Sequence, residues 1–169
     1  MAMPHTRMSA LLTCENIEHL DLLKGIFEQF THLDPVTPDA LAEAGLSVSE
    51  KTAERLFEIS ETLLREPGVK VQLYDAAGTP ALWIRDNGNL WLEMVAKIIA
   101  TWMQEVDYPG HFVFEFARVG SETEPFGFGG GAMSIDKTGA SMIETHTAVK
   151  QLGGKGLFRE GAPITMIEI

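Results

Sequence analysis

Glu115, Arg118 and His146 are the residues of this chain whose types and spacing best suit chemistry done together. A histidine beside a carboxylate can move a proton near neutral pH, which makes the three a candidate acid–base centre. If segments 111–118, 131–136 and 140–145 are antiparallel neighbours, Arg118, Gly131 and His146 gather at one end, with Glu115 one pleat away. His111 then falls at the opposite end, near Asp136 and Lys137. His111 and Glu115 share a strand face but stand roughly 13 Å apart at ~3.3 Å per residue, too far to bond directly. No nucleophile completes the centre. Ser121 and Ser134 are unremarkable, and Gly-x-Ser-x-Gly does not occur.

Five histidines raise the question of a metal. His19 and His32 are too far apart to share a helix face, and neither His-x-x-x-His nor Cys-x-x-Cys occurs, so no metal site is expected. Cys14 is the only cysteine, which excludes an internal disulfide and suits a reducing compartment.

The run Pro125-Phe126-Gly127-Phe128-Gly129-Gly130-Gly131-Ala132 is the sharpest local motif. Read loosely it matches a dinucleotide fingerprint, but that fingerprint follows a strand and opens a helix. Here the run opens a strand, and no Gly-Lys-Ser/Thr follows, so no nucleotide cofactor is expected. The glycines instead allow positive φ or close backbone approach. Phe126 and Phe128 either plug the core or, with Gly129, Gly130 and Gly131, offer a binding surface on a loop.

Charge supplies the other candidate surface. The chain carries 13 Lys+Arg against 24 Asp+Glu, a formal charge of -11. That excludes general binding to a nucleic-acid backbone, which needs a basic surface. Residues 1–66 hold 12 acidic against 5 basic groups, so most of the excess lies there. Glu50, Glu54, Glu58 and Glu61 share one helix face, partly neutralised by Lys51 and Arg55 through i, i+4 pairs. Such a stripe is ordinarily a solvated helix face, and functionally it suits a partner with a basic surface.

The elements that must position these residues follow from periodicity. Met8 to Thr13 reads as a short first strand. Ile17, Leu20, Leu23, Phe27 and Phe30 recur at helical spacing. Thr37-Pro38 caps a short helix, and Ser47-Val48-Ser49-Glu50 reads as a capping box for a helix running to about Arg65. Val69 to Tyr74 and Ala81 to Arg85 alternate as a hairpin about Ala77-Gly78. Asn89 caps the strongest helix, whose Trp91, Val95, Ile98, Trp102 and Val106 form one face. Phe112, Phe114 and Phe116 alternate along a strand, and Asp136 to Gly139 turns a second hairpin. Thr147 to Leu152 reads as a short helix.

The expectation is an α+β fold: N-terminal helices (15–66), then a mostly antiparallel β-β-α-β-β-β sheet (69–152) packed on the central amphipathic helix. One domain covers 1–152, and 153–169 forms a tail that can add an edge strand at Ile164–Ile169. No stretch reaches the ~18 apolar residues that span a membrane. Residues 1–14 lack a secretory pattern, so a cytoplasmic protein without a membrane partner is expected.

Phe112-Val113-Phe114-Glu115-Phe116-Ala117, then Phe128-Gly129-Gly130-Gly131-Ala132, then Thr145-His146-Thr147, resembles small proteins of bacteria and their phages with a Phe-Gly-Gly-Gly-Ala strand entry. The likeness covers roughly residues 69–152 and implies an accessory protein of a mobile element, with no activity or catalytic residue attached. The sequence therefore favours a non-catalytic module that binds a host protein, or a second copy of itself, through the Gly/Phe loop and the acidic helix face. The acid–base enzyme is the alternative, and acidic mimicry of nucleic acid the third reading.

Overall fold

A computed structural model describes residues 5–32, 34–63, 65–119, 128–144 and 164–168. The chain opens on a strand, β1 (His5–Thr13), whose Met8 and Leu12 are buried while Arg7, Ser9 and Leu11 alternate outward. Three helices follow: α1 (Ile17–Gln29), α2 (Pro38–Glu43) and α3 (Glu50–Leu63). The hairpin β2 (Val69–Ala76) and β3 (Thr79–Asp86) leads to α4 (Leu92–Glu105). Then come β4 (Phe112–Val119), β5 (Phe128–Asp136), β6 (Gly139–Glu144) and β7 (Ile164–Glu168).

The fold is α+β with a seven-stranded antiparallel sheet in the order β2-β3-β1-β4-β5-β6-β7. This corrects the expected helices-then-sheet arrangement: the first strand lies inside the sheet, third in the order, between β3 and β4. Its two ends have different partners. Ser9–Thr13 pair with β3, and His5–Met8 pair with β4. At the changeover the Met8 amide donates to the Asp86 carboxylate at 3.2 Å, which satisfies a group that the ladder leaves over. The edge strand expected at the C-terminal end is β7, paired with β6.

All four helices stack to one side. α1 rests on β2 and β3, α4 on β5, β6 and β7, and α3 packs on α4. Ten of the fourteen residues of α4 are buried, Thr101 among them, so the helix is enclosed well beyond one amphipathic stripe. Thr101 Oγ1 meets its own helix at Lys97 O (2.7 Å), so its hydroxyl stays satisfied in an apolar surround. Trp102 is fully buried, and its Nε1 donates to His19 O at 2.7 Å, which ties α4 to α1.

Local capping follows the sequence at two helices and departs from it at two. Asn16 caps α1, and Thr37 with Pro38 opens α2 as their types predict. The residue that caps α3 is Ser49 rather than Ser47: its hydroxyl accepts from Thr52 N at 3.3 Å and its carbonyl from Ala53 N at 2.9 Å. The carboxylate that completes this cap comes from α4. Glu105 accepts from the Ser49 amide (2.9 Å), the Ser49 hydroxyl (2.6 Å) and the Thr52 hydroxyl. Asn89 does not cap α4; Trp91 stands there without a side-chain bond, while its amide reaches Pro67 O at 3.0 Å. Gly68 holds φ +72° with the Asn89 carbonyl packed where a Cβ would sit, so these two loops clasp through a position open only to glycine.

Burial would raise the Glu105 carboxyl, but the hydrogen bonds from Ser49 and Thr52 outweigh it and hold it below its ordinary value. A depressed carboxyl contributes stability that is complete above its unfolded pKa and is lost as pH falls through the folded value. Glu105→Gln is therefore expected to cost about 1 kcal/mol near neutral pH, as a weakened cap does. In urea unfolding across pH, the gap between variant and wild type narrows as pH falls through the depressed value of the folded carboxyl and the carboxylate protonates. A gap constant with pH would show that this carboxylate is not the source.

Candidate functional site

The helix layer leaves the other face of the sheet open among the described residues. Strand alternation decides what that face presents. Val69, Val71 and Leu73 of β2 point toward the helices, so Lys70, Gln72 and Tyr74 point away. The same rule places Trp83 and Arg85 of β3, Ser9 and Leu11 of β1, Val113 and Glu115 of β4, Ile143 of β6 and Met166 of β7 outward. Leu11, Tyr74, Val113, Ile143 and Met166 expose between 41% and 66% of their surface. Among the described residues these five large apolar side chains share the sheet face that the helices leave open.

The face has internal order. Leu11 stands in register with Trp83, and Ser9 with Arg85. Trp83 Nε1 donates to Ser9 Oγ at 2.9 Å, and the Arg85 guanidinium lies 4.3 Å from the Trp83 ring centroid. Ser9, Ala10, Leu11, Tyr74 and Trp83 line a shallow concavity of about 510 Å³. Outward positions of β1, β2 and β3 carry Arg7, Lys70 and Arg85 and no carboxylate. Arg7 is 3.6 Å from Asp86, so Lys70 and Arg85 are the cations left to this half of the face. The indole is thus fixed at its edge and stacked on one side, a rigid aromatic of the kind that anchors interfaces.

The acid–base group expected from the sequence is divided by the same alternation. Glu115 lies outward, in register with Ala132. Arg118, three residues on, falls on the helix side, its guanidinium 6.0 Å from the Phe116 ring centroid. There it ion-pairs with Glu144 of β6. His146 and Phe126 lie outside the described residues. His111 does sit beside Asp136, with Nδ1 3.6 Å from Oδ2, beyond hydrogen-bond reach. Asp136 is held below the usual carboxylate range by the Thr138 hydroxyl and amide. That fits its role as the first residue of the β5–β6 turn. No group of three metal-binding side chains occurs among the described residues.

Gly129, Gly130 and Gly131 are strand residues of β5 rather than loop. They stand opposite Arg118, Ala117 and Phe116, and Phe128 opposite Val119. A Cβ at Gly131 would run into the Ile143 carbonyl and lie 2.8 Å from Phe116 Cζ; one at Gly130 would meet the Phe116 carbonyl. Two of the glycines therefore let β4, β5 and β6 approach, with the Phe116 ring laid over the strand. Glu50, Glu54, Glu58 and Glu61 are all exposed on α3, as the periodicity requires. None has an ion pair among the described residues, and Arg55 turns to Gln104 at 3.2 Å instead of neutralising them. Leu11, Tyr74 and Trp83 are the site residues that sequence reasoning passed over. Their signal was present as large apolar side chains on the polar phase of alternating strands.

No protein-family model, curated protein or solved structure matches the chain.

The glycine geometry sets a paired expectation. Gly131→Ala is expected to destabilise by about 1–3 kcal/mol, the range for overpacking against fixed backbone. Gly129→Ala, with nothing within 4 Å of its Cβ, should stay within about 0.5 kcal/mol of wild type. Urea denaturation of both variants checks this, and equal losses would contradict the close-approach account.

Proposed function

We propose that the chain is a non-catalytic protein-binding module. It docks an apolar patch of its partner on the open sheet face and offers the α3 carboxylates to a basic surface. The observation that carries this reading is that, among the described residues, the sheet has a helix layer on one face while large apolar side chains occupy the other. Burying such side chains yields about 25 cal/mol per Å² of apolar surface, which gives the face a strong drive toward a cover. The α3 stripe lies on a helix that packs chiefly on α4, away from the open sheet face, so the two surfaces serve separate contacts. Apolar contact holds a complex, whereas charge mainly speeds and selects the encounter. The resemblance of 112–117 and 128–132 to small proteins of bacteria and their phages carries no activity of its own and adds only a mobile-element origin to the proposal. Division of Glu115 from Arg118 by the sheet weighs against the acid–base alternative.

Capture from bacterial lysate with three proteins tests the proposal. A protein held by the wild type at high salt should be lost with Leu11→Asp/Val113→Asp and kept with Glu54→Lys/Glu58→Lys. A protein released by salt should show the reverse. If the wild type and the sheet-face variant retain the same proteins, the open face is not the docking surface.

A further inference from the structure

Among the described residues β2 ends the sheet on one side with eight residues, against five for β7 on the other. The backbone of β2 has a definite polarity. Its turn, Ala77-Gly78, has both φ values positive (53° and 91°), the two-residue hairpin geometry closed by Ala76 and Thr79. At the far end Asn87 N bonds Gly68 O at 2.9 Å. Bonded and non-bonded pairs alternate in such a ladder, so Lys70, Gln72 and Tyr74 spend their amides and carbonyls on β3. Val69, Val71, Leu73 and Asp75 direct theirs to the free edge. No proline interrupts this edge, and an eight-residue edge without a proline or bulge is a template for another strand.

The space beside that edge is shaped as well. α1 runs antiparallel to β2 above it. Near the α1 C-terminus, Phe27, Thr31, Val69 and Val71, together with the polar Glu28, Lys70, Gln72 and Arg85, line a concavity of about 330 Å³. Near its N-terminus, Ile17, Leu73, Tyr74 and Pro80 line another of about 400 Å³, with Ile17 50% exposed. Val71 and Leu73 point toward the helix side yet are only half-buried.

We propose that the β2 edge pairs with the β2 edge of a second copy of this chain, making one continuous sheet across a two-fold axis at Gln72. The register supports this occupant over a foreign strand. With Gln72 opposite its own copy, Val71 faces Leu73 of the second copy, Lys70 faces Tyr74 and Val69 faces Asp75. No like charges oppose, the amides meet carbonyls, and the apolar pair lies on the core side. The same axis brings Ile17 of each copy over the Phe27–Val71 concavity of the other, because the two ends of α1 exchange places. α1 rests on β2 and β3, so the two α1 helices stand about 10 Å apart, a normal helix-packing distance. Each contact occurs twice, as an isologous interface requires. The open faces of both copies then form one surface.

Sedimentation of the full chain at tens of micromolar tests the pairing. The expected mass is twice the 18.6 kDa of one chain. Val71→Pro removes an amide that faces the free edge, so the β2–β3 ladder survives; the variant should be monomeric with an unchanged circular dichroism spectrum. Ile17→Asp, which leaves the strand alone, should raise the dimer dissociation constant about tenfold or more. Gln72→Cys in a Cys14→Ser background should form an intermolecular disulfide, because non-bonded antiparallel partners place Cα atoms about 4.5 Å apart. A wild-type monomer at that concentration overturns the proposal, as does a monomer that takes up an unrelated extended peptide at β2. A dimer that survives both Val71→Pro and Ile17→Asp, or a Gln72→Cys dimer that does not cross-link under oxidation, overturns it equally.

Discussion

The enclosure of α4 is the constraint on which the rest of the molecule depends. A helix with ten buried residues in fourteen cannot lie on a surface; it needs cover on several sides. The sheet supplies one side through β5, β6 and β7, α3 supplies another, and α1 closes the flank through the Trp102–His19 bond. The N-terminal helices are thereby committed to the side of the sheet that holds α4. None is left to cross to the far face. The open face is a consequence of how much apolar surface one helix carries.

This layering also sorts the charge. The four α3 glutamates project from the outer helix, whereas the outward positions of β1, β2 and β3 carry cations and aromatics without a carboxylate. The net charge of -11 is thus unevenly placed, with no outward carboxylate on β1, β2 or β3 while Glu115 of β4 lies on the same open face. Glu105 is an acidic side chain turned to internal use, since its hydrogen bonds to Ser49 and Thr52 replace the capping pair that α3 does not form within itself. Lys137 plays a similar part at the β5–β6 turn, where it meets Asp107 while its carbonyl accepts from Gln104 at 2.7 Å.

Much of the fold was legible because local signals and tertiary structure agreed. Thr37-Pro38, the Ala77-Gly78 hairpin, the Phe112–Phe116 alternation and the Asp136–Gly139 turn all rest on short-range chemistry, and each stands where its residues predict. Signals failed where a distant residue intervened. Ser47 and Glu50 match a capping box, but Glu105 reaches Ser49 from another helix. Asn89 suits a cap, but its carbonyl is packed against Gly68. The interior place of β1 was invisible because a short alternating strand carries no mark of how many neighbours it will have. The candidate site was less legible than the fold. Glu115 and Arg118 are close in sequence, yet an odd spacing on a strand sends them to opposite faces. Leu11, Tyr74 and Trp83 meet only through a register that joins three separate strands.

The position of β1 governs the order in which the sheet can be assembled. β2 and β3 join through a two-residue turn, and β5 and β6 through another, so both hairpins can form as soon as they are synthesised. β1 has no such neighbour. Its second half waits for β3, and its first half, where His5 pairs with Val119, waits for a strand more than a hundred residues later. Because loop closure precedes the reward of pairing, the two half-sheets are expected to join late. The seam between them is then the natural place for slow closure and for the first opening under stress.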